Sequence, residues 1–334
     1  MPGRHVDHAV LAGYAQNKVN VPADEARRRR RQVNHLRSRL EEHIAAHPGY
    51  DLVKIRAAGS TAKHTAIRRR RGEGSDADVA AYVRASSVGG IEADESGLLE
   101  WLRDRCIDVY GATKDAEDFV ISEHAVGITL RGSGLKIDVA PVLYEGAPDD
   151  CGHLITRQGD RVLTSVTLHL AFIKTRRDAA GPTYRELIRL LKAWIREAKR
   201  NDTGLRCKSF LLELIVAHLW DQGWNGEPLA VDDYPRAFEQ VLGYIAQTGL
   251  RTPVIFTDFY KRSAVTATSD PIQVWDPVNP ANNVARAYSE ADRQHLVKTA
   301  TTALEEITWA ALAPAKGDAN DAWRTVLGPG FEGA

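Results

Sequence analysis

The sequence predicts an α+β protein with two lobes, and two observations carry this prediction. Between residues 50 and 164, short apolar stretches typical of strands are mixed with one helical pattern, as in an α/β lobe. From residue 165 onward, nearly every apolar stretch repeats at spacings of three and four, the period of amphipathic helices. We therefore expect residues 1–164 to form a mixed sheet flanked by helices, and residues 165–334 to form a helical lobe.

Length and composition fit this picture and exclude several classes of protein. The chain has 334 residues, and its 44 lysines and arginines balance 44 aspartates and glutamates. This balance argues against a protein that coats nucleic acid, so a nucleic-acid partner is not required. No apolar stretch approaches the roughly 20 residues that span a bilayer, and no signal peptide is evident. The scattered Cys106, Cys151 and Cys207 favour a cytoplasmic protein without disulfides or a zinc site.

A long amphipathic helix is predicted to begin near Asp24 and to end near Pro48-Gly49. Its apolar residues recur at helical spacing and are Val33, Leu36, Leu40 and Ile44. Arg27 to Arg31 lie near its start. A solvated helix face and a polyanion-binding face both fit this run, and both remain open.

The other elements follow from their patterns. Three strands and one helix are predicted for the first lobe, at "DLVKIRAAG", "ADVAAYVRA", "GLKIDVAPVL" and "SGLLEWLRDRCIDVYG". Five helical stretches follow, beginning at "SVTLHL", "YRELIR", "SFLLEL", "YPRAFE" and "EADRQH". The segment "PIQVWDPVNPANNVAR" predicts a structured loop after a short strand, and "GPGFEGA" predicts a loose tail.

Three aspartates indicate a metal site. Asp76 and Asp78 are two residues apart, so on a strand they project from the same face. Two such carboxylates about 4 Å apart repel by roughly 4 kcal/mol at an effective dielectric constant near 20. A fold tolerates this repulsion when a divalent cation binds there. Asp138 lies inside another apolar strand, and if the two strands pair, the three oxygen ligands suit Mg²⁺ or Mn²⁺.

Gly59-Ser60 ends the strand before this pair of aspartates. A glycine lets the backbone approach a phosphate, and a hydroxyl with successive N–H groups can bind its oxygens. Two-metal sites beside such a turn carry out phosphoryl transfer. A lone Gly-Ser pair is usually only a turn, and a lone Asp-x-Asp is usually surface charge. The order of all three features in one chain favours the functional interpretation.

The stretch "GSTAKHTAI" with "SDADVAAYV" and "LKIDVAPVL" resembles the nucleotidyltransferase signature of the polymerase-β-like superfamily. Three later segments, "LIRLLKAWIREAK", "KSFLLELIVAHLWDQG" and "VWDPVNPANNVAR", are similar to the oligoadenylate synthetase and cyclic-GMP-AMP synthase branch, most closely to bacterial CD-NTases. The likeness extends from about Asn20 to Arg286. It implies a bilobal nucleotidyltransferase core with a long N-terminal spine helix and a C-terminal helical lobe.

The resemblance also implies site residues. It makes Asp76, Asp78 and Asp138 the catalytic residues and the ligands of two Mg²⁺ or Mn²⁺ ions per site. Its implied nucleotide-binding residues are Gly59, Ser60, Thr65, Lys192, Ser209, Asn282 and Asn283. Physical chemistry agrees for two of these, since a lysine suits a γ-phosphate and a serine that opens a helix lies where anions bind.

Two positions depart from the family pattern. His64 stands where the family often has a second glycine, just before Thr65. The link "RRRRGEGS" is longer and more basic than usual. Its Arg68 to Arg71 fit either phosphate contacts to a second nucleotide or a solvated loop.

By resemblance, the expected activity joins NTPs (ATP, GTP or others) and releases pyrophosphate. The product would be a cyclic di- or trinucleotide second messenger in bacterial anti-phage (CBASS-type) signalling. A separate effector would respond to that product, and an accessory activator protein is a possible partner. Two alternatives stay open: a template-independent transferase that makes linear oligonucleotides, and a non-catalytic RNA-binding module.

Overall fold

The computed structural model describes residues 4–47, 50–70, 75–85, 97–111, 113–146 and 148–333. Its contacts define two compact units: residues 21–171 form a sheet unit, and residues 1–20 with 172–334 form a helical unit. The sequence-based division after residue 164 assigns the first twenty residues to the other lobe, so the two divisions differ there. The reason is packing, since the Tyr14 ring meets Phe331 edge-on and its hydroxyl donates to the Leu327 carbonyl.

The sheet unit is built on a mixed sheet whose order, among the described residues, is β1-β2-β5-β4-β3, with β6 beside β5 and β7 beside β6. Its strands are β1 Tyr50–Ala58, β2 Ser75–Ala85, β3 Phe119–Ile121, β4 Val126–Leu130, β5 Leu135–Gly146, β6 Cys151–Ile155 and β7 Arg161–Thr164. β2 and β5 run parallel, and the other pairs are antiparallel. The predicted mixed sheet is therefore confirmed, and the three predicted strands are β1, β2 and β5.

Helices of the sheet unit pack on one face of this sheet. In chain order the helices of both units are α1 His8–Tyr14, α2 Ala23–Ala45, α3 Gly59–Lys63, α4 Leu98–Tyr110, α5 Val166–Ala180, α6 Pro182–Asn201, α7 Ser209–Gln222, α8 Tyr234–Thr248, α9 Glu290–Leu312 and α10 Lys316–Leu327. The long helix α2 buries the four apolar residues that its spacing predicts. They join α4 and the inward residues of the strands in one core. Burial of this stripe stabilises the helix more than its arginine-rich sequence does.

The helical unit contains the predicted helices α6 to α9, while α1 and α10 are absent from the sequence-based assignment. The division between the units falls within α5. The prediction of a loose tail is wrong, because Phe331 is only 1% exposed and packs near Trp323. None of the helices described here is long and apolar enough to cross a membrane.

A buried carboxylate connects strands and helix in the sheet unit. The Asp150 side chain, 6% exposed, accepts hydrogen bonds from Thr167 at 2.7 Å, from Arg56 at 3.1 Å and from Lys54. Burial alone would raise the pKa of Asp150, but the bonds from Lys54 and Thr167 and the nearby positive charges lower it below its ordinary value. The ionised form therefore stabilises the fold.

We expect Asp150→Asn to lower the free energy of unfolding by about 3 kcal/mol, because it breaks a buried ion pair. Asparagine also tolerates the left-handed backbone of this residue, whose φ is 52°. A carboxyl with a lowered pKa stabilises above its unfolded value near 3.9, and this contribution disappears as the pH falls through the folded value. Urea unfolding of both proteins should therefore differ at pH 7 and converge below about pH 4. The exposed neighbour Asp149→Asn is the control, and equal midpoints for Asp150→Asn at pH 7 would contradict the expectation.

Candidate active site

Two of the three aspartates lie side by side in the sheet. In the parallel pairing of β2 with β5, Asp78 is the direct partner of Asp138. Asp78 is also paired with Ala58 on its other neighbour, β1. Asp138 is also paired with Gly127 on its other neighbour, β4. These four residues form one row across four strands, and neighbouring strands lie about 4.8 Å apart. The predicted pairing of the two aspartate-bearing strands is thus present.

The acidic side chains share the face of the sheet that points away from α2 and α4. Their chain neighbours Ala77, Val79, Ile137 and Val139 belong to the core beneath those helices. Since side chains alternate along a strand, Asp76, Asp78 and Asp138 project from the other face. The residue in register with Asp76 is Lys136, so a basic residue lies beside these three acidic ones. We call these four residues the acidic face.

Gly59 joins β1 to this face and lies against Asp78. Its φ of 59° is left-handed, and a β-carbon on it would overlap the Asp78 carboxylate, so only glycine fits here. The Ser60 carbonyl accepts hydrogen bonds from the Thr65 and Ala66 amides at 2.9 and 3.1 Å, which closes the turn, and Thr65 is fully buried. The Gly59-Ser60 turn is therefore in direct contact with Asp78.

The backbone conformation of His64 shows how the turn accommodates a histidine where the family pattern often has a glycine. It follows α3 with φ 59° and ψ 34°, in the left-handed region that glycine adopts without strain. A histidine there costs on the order of 1 kcal/mol. The turn thus keeps a glycine-like backbone although the glycine is replaced.

Basic side chains contact Asp76 and Asp138. Arg69 forms an ion pair with Asp76, so one of the four predicted loop arginines reaches the acidic face. Arg71 lies outside the described residues. The Lys136 Nζ lies 3.0 Å from Asp138 Oδ1. That oxygen is buried, and among the described residues it has this ion pair but no well-aligned hydrogen bond.

The fit of a divalent cation follows from these contacts. Within the described residues, no group of three or more His, Cys, Asp or Glu side chains is already arranged to hold a metal ion. The donor set is nevertheless suitable, because three carboxylates share one face and the buried Oδ1 of Asp138 has an ion-pair partner but no well-aligned hydrogen bond among the described residues. Asp76, Asp78 and Asp138 are the residues that could hold Mg²⁺ or Mn²⁺ after their basic partners move.

Lys192 lies in the helical unit and is buried there. Its side chain is 5% exposed, and its Nζ lies 2.5 Å from Oε1 of Glu213, which is 2% exposed. Ion pairs this deeply buried lose much solvation, so each partner depends on the other. Any contact of Lys192 with a phosphate therefore has to compete with Glu213.

Ser209, Asn282 and Asn283 differ in their exposure and in the hydrogen bonds that they already form. Ser209 is the exposed first residue of α7, as predicted. Asn283 is 3% exposed, donates to the Asp270 side chain and the Ile272 carbonyl, and accepts from the Val274 amide. Its hydrogen bonds therefore fix the loop. Asn282 is partly exposed and donates to the Asp276 carboxylate at 3.2 Å.

The arginine run of α2 divides between two environments. Arg29 is 5% exposed and pairs with Glu25. Arg28 and Arg31 are exposed and line a cleft of about 620 Å³ whose other basic residues are His35, Lys114 and Arg131. The run is thus neither wholly solvated nor a single uniform face.

Two residues of the site are absent from the sequence-based prediction. Lys136 could have been found from its spacing, because it precedes Asp138 by two residues and must share its face. Gly127 carries only a weak signal, a glycine inside a short strand, which often marks a close approach of another group. Neither the strand β4 nor its register with β5 is readable from the sequence.

Comparison with known proteins shows the family to which this chain is similar. Residues 138–326 match the family model "2'-5'-oligoadenylate synthetase 1, domain 2, C-terminus". The chain is 37% identical over 334 residues to a "Cyclic AMP-AMP-AMP synthase" of Escherichia coli strain MS 115-1, which covers all of both chains. It is 30% identical to the "CBASS oligonucleotide cyclase CdnC" of strain KTE188, over 96% of this chain and 95% of that one.

The chain belongs to the CBASS oligonucleotide cyclases, the bacterial CD-NTases. The solved structure of the MS115-1 CdnC with ATP matches this CD-NTase with a TM-score of 0.86 at 37% identity, covering 98% of this chain and 100% of that one. The Vibrio cholerae DncV cyclic AMP-GMP synthase shares the fold, with a TM-score of 0.71 at 14% identity over 98% and 97% of the chains. The sequence-based family and fold class are confirmed. Enzymes of this family are nucleotidyltransferases and are in general metal-dependent.

We expect Lys192→Met to lower the free energy of unfolding by about 3 kcal/mol, because Glu213 loses its buried ammonium partner. The double variant Lys192→Met with Glu213→Leu should recover most of this loss, since an apolar pair needs no compensation. Urea unfolding of the wild type, both single variants and the double variant measures the effect. If Lys192→Met is as stable as the wild type and loses only nucleotide affinity, the ion pair has no structural role.

We expect Gly59→Ala to lower nucleotidyl transfer by about a hundredfold, because the methyl group displaces the Asp78 carboxylate from its place beside the turn. The melting temperature should also fall, since alanine is strained at a φ of 59°. Gly132→Ala is the matched control in the same unit, where a β-carbon meets open space. Pyrophosphate release and thermal unfolding are measured for both. If Gly59→Ala releases pyrophosphate at the wild-type rate, the Gly59-Ser60 turn is not part of the active site.

Proposed function

We propose that this CD-NTase joins nucleoside triphosphates, releases pyrophosphate and makes a cyclic oligonucleotide that acts as a second messenger in CBASS-type anti-phage signalling. One observation carries the proposal: Asp78 and Asp138 are direct partners in the sheet, with Asp76 on the same face and Gly59 against Asp78. This arrangement supports a site in which carboxylates would hold metal ions next to a turn that would bind phosphates. Both features are needed for phosphoryl transfer.

In the proposed reaction, a ribose hydroxyl of one nucleotide attacks the α-phosphorus of another. A new P–O bond forms, the bond between the α- and β-phosphates breaks, and pyrophosphate leaves. The partly buried Asp138 is the residue proposed to take the proton of the attacking hydroxyl. Two Mg²⁺ or Mn²⁺ ions, held by Asp76, Asp78 and Asp138, would lower the pKa of that hydroxyl and neutralise charge on the leaving group.

The remaining predicted residues would bind the nucleotides. In the turn, the backbone of Gly59 and Ser60 would hold the triphosphate, and buried Thr65 would keep the turn closed. In the helical unit, exposed Ser209 at the start of α7 suits a phosphate, because free N–H groups point out of a helix N-terminus. Lys192 would add positive charge if it exchanges Glu213 for a phosphate. Asn282 is the better candidate for a nucleotide contact of the two asparagines, because Asn283 already holds its own loop.

The relatives suggest the substrate and the partners. We propose ATP as substrate and a cyclic oligoadenylate as product, because the relative with 37% identity is named a cyclic AMP-AMP-AMP synthase. The MS115-1 CdnC was solved in complex with a HORMA protein, so we propose an accessory protein of that class here too. The product would act on a separate effector. The cytoplasm, where NTPs are available, is the proposed location.

We expect the purified protein with NTPs and Mg²⁺ to convert labelled ATP into a product that resists phosphatase, because a ring has no terminal phosphate. Asp138→Asn and the double variant Asp76→Ala with Asp78→Ala should each reduce this product more than about a hundredfold, since they remove proposed metal ligands. Asp104→Asn, an exposed carboxylate on α4, is the charge-matched control for Asp138→Asn. Mass spectrometry of the product identifies the base and the ring size.

Other results would replace this proposal. A phosphatase-sensitive ladder would indicate a linear oligonucleotide transferase, in keeping with the match to the oligoadenylate synthetase domain. If the wild type and the aspartate variants are equally inactive with every NTP mixture, also with an accessory protein, and bind RNA equally well, the chain is a binding module.

A further inference from the structure

Lys136 belongs to the acidic face and has no role in the reaction described above. It precedes Asp138 by two residues on β5 and lies in register with Asp76 on β2. Its Nζ is 3.0 Å from Asp138 Oδ1, a buried oxygen with no other well-aligned partner among the described residues. The Lys136 ammonium is therefore the positive charge that the structure places at this carboxylate.

Gly127 gives the Lys136 side chain its path to Asp138. It is the partner of Asp138 on β4, on the side away from β2. A β-carbon at this position would come 2.7 Å from Lys136 Cε and 2.9 Å from Asp138 Oδ1. Real β-carbons do not approach other atoms so closely. The absence of a side chain at 127 thus lets the lysine lie against the sheet with its ammonium at the carboxylate.

We propose that Lys136 and a divalent cation compete for the Asp138 carboxylate. Lys136 is then a positioning residue, which neutralises Asp138 until the cation arrives with its nucleotide. This role presupposes that Asp138 is a metal ligand, as proposed above.

Competition follows from the charges. An ammonium and a divalent cation at the same carboxylate repel each other about twice as strongly as two single charges at that distance. Lys136 can leave easily, because its side chain is 43% exposed and a half-exposed ion pair contributes little stability. Lysine carries a single charge on a flexible stem, so it can turn to water without disturbing β5. Arg69, which is 37% exposed, stands in the same relation to Asp76.

The arrangement has a chemical consequence for the order of binding. Without Lys136, the three carboxylates would attract free divalent cations strongly. With Lys136 present, free metal binds more weakly, and a metal that is already bound to a triphosphate has the advantage of the additional phosphate contacts. Lys136 thereby favours binding of the metal–nucleotide complex over binding of the metal alone.

The test is a titration of the nucleotide-free protein with Mn²⁺, in which electron paramagnetic resonance measures the free ion. Lys136→Met should bind Mn²⁺ roughly fivefold more tightly than the wild type, because the metal no longer has to displace the half-exposed ion pair between Lys136 and Asp138. Lys136→Gln should behave in the same way, and Lys136→Arg, which keeps the charge, should resemble the wild type.

Lys174→Met is the control, since it removes an equal charge from a 66% exposed position on α5. Thermal unfolding confirms that each variant is folded, and Lys136→Gln replaces Lys136→Met if the latter is not.

Asp138→Asn separates this inference from the proposed function. If Asp138→Asn weakens Mn²⁺ binding and the neutral Lys136 variants do not strengthen it, competition is overturned and the metal site stands. If the wild type, Asp138→Asn and the Lys136 variants all bind Mn²⁺ with the same affinity or not at all, Asp138 is no metal ligand and both ideas fail. Tighter binding in Lys174→Met as well would also overturn a specific role for Lys136.

Discussion

The parallel pairing of β2 with β5 is the constraint on which the candidate site depends. It makes Asp78 and Asp138 direct partners, although 60 residues separate them in the chain. A slip of the register by one residue would turn one set of carboxylates into the core and bring Val79 or Ile137 to the acidic face. That slip is prevented by the apolar alternation, since the inward residues of both strands are buried beneath α2 and α4. The same packing that stabilises the sheet thus aligns the chemistry.

Repulsion among the carboxylates is the cost of that alignment, and the chain limits it with its own cations. Arg69 and Lys136 pair with Asp76 and Asp138, and both are exposed enough to leave. The buried pairs behave differently. Asp150 with Lys54, and Lys192 with Glu213, lie where water is scarce, so they hold structure. Exposure therefore separates the ion pairs that can rearrange at little cost from those, such as Lys192 with Glu213, whose rearrangement costs much more.

Local patterns made the fold class, the family and most helices predictable from the sequence. The stripe of α2, the alternation of β1 and the helices α6 to α9 depend on neighbours within a few residues, and these predictions match the structure. The strands β3, β4, β6 and β7 pair with strands adjacent to them along the chain, but each has only three to five residues. Such short segments show too little alternation for the sequence pattern alone to reveal them. In the site, local spacing was again sufficient for one feature: the i, i+2 spacing predicts the common face of Asp76 and Asp78. The burial of Lys192 against Glu213, and of Asn283 in its loop, depends on tertiary packing that no spacing encodes.

The contact between Gly59 and Asp78 has a consequence for how such an enzyme can diversify. The turn meets the Asp78 carboxylate with the backbone of Gly59, so the short side chain of Asp78 is the one flexible part of this separation. Changes of nucleobase preference or ring size therefore cannot come from adjusting this separation. They have to arise from residues outside this row of the sheet, whose side chains can vary while the reacting atoms keep their distances.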